Sequence, residues 1–118
     1  MTSVGIRTGS VGYKVGWWVL VVIAGASVVG HLSLAGFSEE DSWALAFLGL
    51  AAMNVYALSV LLTAYRRGEP WAWWVTWVPV AIYALVIFYA DEGPYYLGTA
   101  AVMAIAQLLT WSGFRNRA

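Results

Sequence analysis

Val15–Phe37 reads VGWWVLVVIAGASVVGHLSLAGF, with no Asp, Glu, Lys or Arg inside it. A helix needs about 20 apolar residues to cross a hydrocarbon core of about 30 Å. This run meets that length. Three more follow, Trp43–Tyr65, Trp71–Ala90 and Tyr95–Ser112, again without internal charge. Strands are the rival reading, because β-branched and aromatic residues abound. Membrane-spanning strands, however, must close a barrel of at least about 8 strands of about 10 residues each. The runs do not alternate with polar residues, and a helix satisfies its own backbone in lipid. The expected fold class is therefore all-α: a single integral membrane domain over residues 1–118, an antiparallel four-helix bundle running up-down-up-down.

Composition points the same way. Of 118 residues, 62% are hydrophobic and 10% charged, and mean hydropathy is +0.73. Soluble domains carry about 25% charged residues. Six basic and six acidic residues cancel, so no net field draws the chain to nucleic acid. The absence of cysteine excludes disulfide scaffolds, thiol redox chemistry and Cys-ligated metals. The first run exceeds the about 7–15 residues of a signal-peptide core and lacks a small-residue cleavage site, so it is expected to stay attached.

The connections Ser38–Ser42, Arg66–Pro70 and Asp91–Pro94 are short enough to force hairpins. Ser38 or Ser42 can cap a helix start, with Glu39, Glu40 and Asp41 at its positive end. Gly68 suits a helix end and Pro70 a helix start. Gly93-Pro94 is a turn signal. Pro79 frees the carbonyl of Val75, which predicts a kink that Thr76 helps resolve. Met1–Gly12 is rich in Gly, Ser and Thr and reads as a flexible tail.

Charge orients the chain. Arg7, Lys14, Arg66, Arg67, Arg115 and Arg117 fall on one side of the expected spans. Glu39, Glu40, Asp41, Asp91 and Glu92 fall on the other, and only Glu69 breaks the pattern. The positive-inside rule places both termini in the cytoplasm, with the protein in the cell membrane. Trp17, Trp18, Trp71, Trp73, Trp74, Trp77 and Trp111 then belong to an inner aromatic belt, and Trp43, Tyr89, Tyr95 and Tyr96 to an outer one.

Polar groups inside spans are the candidate functional residues, because hydrocarbon penalises them unless they find partners. They are His31, Tyr83, Asn54 and Gln107. Ser27 lies one turn below His31 on the same face, and the stripe continues to Leu34. His31 has three open readings. It is a packed histidine bonded to Tyr83 or a carbonyl; or a metal or proton site with Glu39, Glu40, Asp41, Asp91 and Glu92 as oxygen donors; or a haem ligand shared across a two-fold dimer. Asn54 and Gln107 read as interhelical hydrogen-bonding glue. Gly12–Gly16 and Ala26–Gly30 have small-xxx-small spacing, and the second pair is the expected close-approach stripe of span one.

The missing intramembrane carboxylate in span one excludes the small multidrug resistance transporters. The missing lysine excludes microbial rhodopsins, and the missing cysteine pair excludes vitamin K epoxide reductases. The complete charge bias argues against dual-topology fluoride channels. The stretch Arg66-Arg67-Gly68-Glu69-Pro70-Trp71-Ala72-Trp73-Trp74, with Asp91 ending the helix that follows, resembles the basic turn and Trp-rich helix of small four-helix bacterial membrane proteins, loosely the DoxX-like group. That resemblance implies a fold more than an activity. No motif calls for a cofactor. The expected role is a non-enzymatic accessory or oligomer-forming component, with lipid and a homo-oligomer or larger membrane complex as partners. The alternatives are a small transporter or cation-binding protein using His31 and the acidic loops, and a redox subunit holding haem or quinone.

Overall fold

A computed structural model describes residues 11–91 and 93–114. It is helices joined by short turns, and no strand occurs among the described residues. Helix α1 spans Val11–Phe37. Helix α2 spans Asp41–Val60 and continues as a π-helical turn, Leu61–Tyr65. Helices α3 (Pro70–Val75) and α4 (Trp77–Leu85) form one interrupted rod that ends in a tight turn, Val86–Phe88. Helix α5 spans Gly93–Thr110.

Three of the four rods are long and apolar enough to cross a membrane: Val11–Phe37, Asp41–Tyr65 and Pro70–Phe88. The fourth, α5, falls short of that standard because Gly93, Pro94, Tyr95, Tyr96, Thr99 and Gln107 dilute it. The rods are apolar on their outer faces as well as their inner ones. Only 17% of the most apolar stretch of α1 is buried, and Val22, Leu45, Ile105 and Leu108 are all exposed. A helix apolar all round needs an apolar surrounding.

Helix boundaries follow local chemistry. The second rod closes on Gly68, which adopts φ 75°, a backbone conformation that costs other residues a Cβ clash. Gly68 N–H donates to Tyr65 O at 2.9 Å and Glu69 N–H to Ala64 O at 3.0 Å, the paired bonds of a Schellman closure. Pro70 then opens α3, where its missing N–H costs nothing. Ser38 does not cap α2. Its Oγ donates back to Leu34 O at 2.8 Å and so finishes α1, while Glu40 precedes α2 without a side-chain cap. The break that Pro79 foreshadowed falls at Thr76, between α3 and α4, where Thr76 Oγ1 donates to Ala72 O at 2.7 Å.

The first helix begins earlier than its composition suggests. Val11 and Gly12, expected in a flexible tail, are helical, and the rest of that tail lies outside the described residues. The cause is tertiary. Tyr13 donates to Tyr65 O at 2.8 Å and packs on the ring of Phe114 at 5.9 Å. Gly12 and Gly16 lie on one helical face against the last turns of α5.

This corrects the expected close-approach stripe. A Cβ on Gly30 would meet nothing within 4 Å, whereas one on Gly16 would lie 2.5 Å from Ala106 O and 2.7 Å from Thr110 Cγ2. Ala26 and Gly30 are exposed. Small residues at i and i+4 permit close approach but do not choose which helix approaches.

The two ends differ in charge. At the end where Tyr13 meets Tyr65 lie Lys14, Arg66 and Arg67, with Arg66 Cζ 5.8 Å from the centre of the Trp17 ring. Glu39, Glu40, Asp41 and Asp91 lie at the opposite end, near Trp43. Arg7, Arg115, Arg117 and Glu92 are outside the described residues. Glu69, the one acid among the bases, is clamped locally. Arg67 Nε and Nη2 both reach its Oε1 at 2.8 Å, and Trp71 Nε1 donates to Oε2 at 2.7 Å.

The Arg67 hydrogen bond, and then the Trp71 one, hold the Glu69 carboxyl below its ordinary value. A depressed acid stabilises the folded turn above its unfolded pKa and loses that contribution as pH falls through the folded one. An NMR pH titration of Glu69 should therefore show a midpoint below the usual carboxylate range in the wild type. In Arg67→Gln the midpoint should rise towards that range; an unmoved midpoint would show that the clamp does not act in solution.

Candidate functional site

Polar side chains gather in two layers. Near the basic end, Tyr65 donates to Gln107 Oε1 and its hydroxyl pairs with that of Thr110. Gln107 Nε2 donates to Trp73 O at 2.9 Å, and Trp73 Nε1 returns a bond to Gln107 O at 3.0 Å. Tyr65, Gln107 and Thr110 are fully enclosed. These bonds tie the second, third and fourth rods together. Trp73 is therefore a core residue, buried to 6% exposure, and not the interface anchor its neighbours Trp71 and Trp74 suggested. Its ring packs at 4.6 Å on Trp111.

Nearer the acidic end, His31 is buried at 5% exposure. Its ring stacks on Tyr96 at 5.8 Å and 11° and on Phe47 at 6.1 Å. Its Nε2 shares a 2.8 Å hydrogen bond with the Tyr96 hydroxyl. Tyr83, the partner the sequence suggested, lies 6.2 Å away ring to ring and instead accepts a 2.6 Å bond from Asn54 Nδ2. Asn54 thus links α2 to α4. Tyr96, expected in the outer belt, belongs to this layer because it is the residue of α5 that faces α1 at the height of His31.

The four candidate ligand-binding residues therefore split. His31, Tyr83 and Asn54 share the layer nearer the acidic end, while Gln107 belongs to the other. The acids read as metal ligands are not brought to His31. Glu39, Glu40, Asp41 and Asp91 are exposed, Glu92 lies outside the described residues, and no group of three or more His, Cys, Asp or Glu converges among the described residues. His31 is walled in by aromatic rings instead of carboxylates.

A groove of about 660 Å³ runs beside His31 between α1 and α5. The stripe Ser27, His31, Leu34 lines one wall, and Gly98, Thr99 and Val102 line the other. Nothing in the sequence pairs Tyr96 or Gly98 with His31. They stand more than 60 residues apart along the chain, with a contact separation of 65 for His31 and Tyr96. No family model, curated protein or solved structure matches the chain.

Proposed function

We propose that the chain is a multi-pass protein of the cell membrane, with four antiparallel spans running up-down-up-down and both termini in the cytoplasm. In this reading it is a non-enzymatic accessory or oligomer-forming component of a larger membrane assembly. The observation that carries it is the division of the bundle into a basic end, an acidic end and apolar flanks between them. A soluble bundle would have no reason to expose Val22, Leu45 and Leu108 while sorting its charges to opposite ends. Helix α5 serves as the fourth span because its polar groups Tyr96, Gln107 and Thr110 are turned inward and satisfied, leaving Leu97, Val102, Ile105 and Leu108 for lipid. The Arg66–Trp74 stretch, with its resemblance to the DoxX-like group, then anchors the bundle at the cytoplasmic interface. The open, exposed glycines Gly36 and Gly49 support a role among partner helices, since small residues on exposed faces admit close helix packing.

The chain contains no cysteine, so single-cysteine labelling in intact cells reads topology directly. Glu40→Cys should react with an impermeant maleimide added outside, and Arg66→Cys only after the membrane is opened. The opposite pattern would overturn the orientation. Native mass spectrometry from mild detergent should show a species larger than the 12.9 kDa monomer, either homo-oligomeric or with a bound partner. A bare monomer under all conditions would remove the assembly role.

A further inference from the structure

The acidic end of the bundle carries a cavity that an accessory role leaves unused. Its volume is about 690 Å³, within the range of about 300–1,000 Å³ found for ligand cavities. The first turns of α2, the segment from Val86 to Asp91 and the start of α5 form its walls. Trp43, Phe47, Tyr89, Tyr95 and Tyr96 all line it. Most of these rings belong to one continuous row. Trp43 stacks on Phe47 at 6.1 Å, Phe47 on His31 at 6.1 Å and His31 on Tyr96 at 5.8 Å, and Tyr96 meets Tyr95 edge-on at 5.5 Å. His31 does not line the cavity. It ties the α2 wall to the α5 wall, so the rings are held in place before any ligand arrives.

The charge around these rings has one sign. Asp91 is the charged residue of the lining. A second hollow of about 390 Å³ shares Trp43 and Phe47 with the first and adds Glu39 and Glu40. Glu39, Glu40 and Asp91 form no ion pair among the described residues, and the described bases Lys14, Arg66 and Arg67 lie at the other end. At the acidic end α2 and α5 begin while α1 and the third rod finish. Their dipoles therefore offset one another, and the acids set the sign of the field. Aromatic faces attract cations through the ring quadrupole, and cages of several rings recognise quaternary ammonium groups. We propose that this cavity binds a free organic cation with apolar substituents, its charged centre beside Asp91 and the aromatic faces and its substituents against Leu34, Leu50 and Val86. A choline headgroup of a lipid fits worse, because its phosphate would enter among acids with no base to meet it. The proposal goes beyond the assembly role and does not rest on the orientation. Binding in detergent can fail while the labelling and mass results above stand, and the reverse.

The test is equilibrium dialysis of the full-length protein in detergent against tetraphenylphosphonium and, separately, against tetraphenylborate, with protein-free micelles as the blank. The two ions have nearly the same shape and opposite charge, so they separate charge recognition from mere apolar partition. Tetraphenylphosphonium should bind saturably and tetraphenylborate should not. Asp91→Asn keeps the shape of the wall and removes its charge. Trp43→Leu keeps an apolar wall and removes the aromatic face. Each should weaken phosphonium binding about fivefold. Neither side chain makes a hydrogen bond among the described residues, so both variants should melt close to the wild type. Should Trp43→Leu fail to fold, Tyr95→Leu, at an exposed position, takes its place. No saturable phosphonium binding, equal binding of the two ions, or phosphonium binding unchanged in either folded variant would overturn the proposal.

Discussion

Gly16→Leu should break the contact between α1 and α5, and this is the largest effect expected of any single substitution described here. The first atom added, Cβ, would lie 2.5 Å from a backbone carbonyl, Ala106 O, and 2.7 Å from Thr110 Cγ2. Neither neighbour is the loose end of a flexible side chain. Thr110 is held by its bonds to Gln107 O and Trp73 Nε1, so the helices themselves must separate. Overpacking of this kind costs about 1–3 kcal/mol, occasionally more. Here the upper end applies, because separation also loosens Tyr13 and the hub around Tyr65. The gain in helix propensity on replacing Gly, about 0.8 kcal/mol, offsets only part of it. Gly30→Leu is the control. With nothing to meet, it should melt at or slightly above the wild-type temperature in detergent. Equal melting of the two variants would show that α1 does not pack on α5 through Gly16.

Gln107→Leu should give the second largest loss. The side chain is fully buried and makes two bonds at once, accepting from Tyr65 Oη and donating to Trp73 O. Interhelical hydrogen bonds in membranes average about 0.6 kcal/mol each, with a maximum near 1.7. Losing two of them, and leaving a carbonyl unmet in the turn just before the Thr76 break, places the expected loss at about 1–3 kcal/mol. Unfolding by sodium dodecyl sulfate titration measures it. Tyr65→Phe should cost less, since it removes only the hydroxyl. The double variant should cost less than the sum, because both changes delete the same bond. Strict additivity would mean that the Tyr65–Gln107 bond contributes nothing. Leu108→Ala, one residue along on the exposed face, should be close to neutral.

Much of the architecture was legible in the chain because it depends on local quantities. The lengths of the apolar runs, the Gly68 and Pro70 boundary and the sorting of Lys14, Arg66 and Arg67 away from Glu39, Glu40 and Asp41 are all counted along the sequence; the turn expected at Gly93-Pro94 instead ends by Asp91, and both residues open α5. Run length and backbone sterics are properties of the chain itself and need no partner element to be read. Even the interruption of the third rod was visible, since a proline removes a donor wherever it sits.

The site was legible only as a set of residue types. His31, Asn54, Tyr83 and Gln107 could be picked out because hydrocarbon makes any polar side chain conspicuous. Their partners could not. Whether His31 meets Tyr83 or Tyr96, whether Trp73 faces lipid or Gln107, and whether Gly16 or Gly30 takes the close approach all depend on helix rotation and on register between rods far apart along the chain, 34 residues for Trp73 and Gln107 and 65 for His31 and Tyr96. A helix that is apolar on every face carries no hydrophobic stripe to announce its inward side. The chain alone therefore determined how many rods there are, where they end and which end is basic. Rotation and register, which decide what touches His31 and where a groove is left open, came only from tertiary packing, where the glycine contacts of α1 on α5 and the hydrogen bonds between buried side chains single out one arrangement.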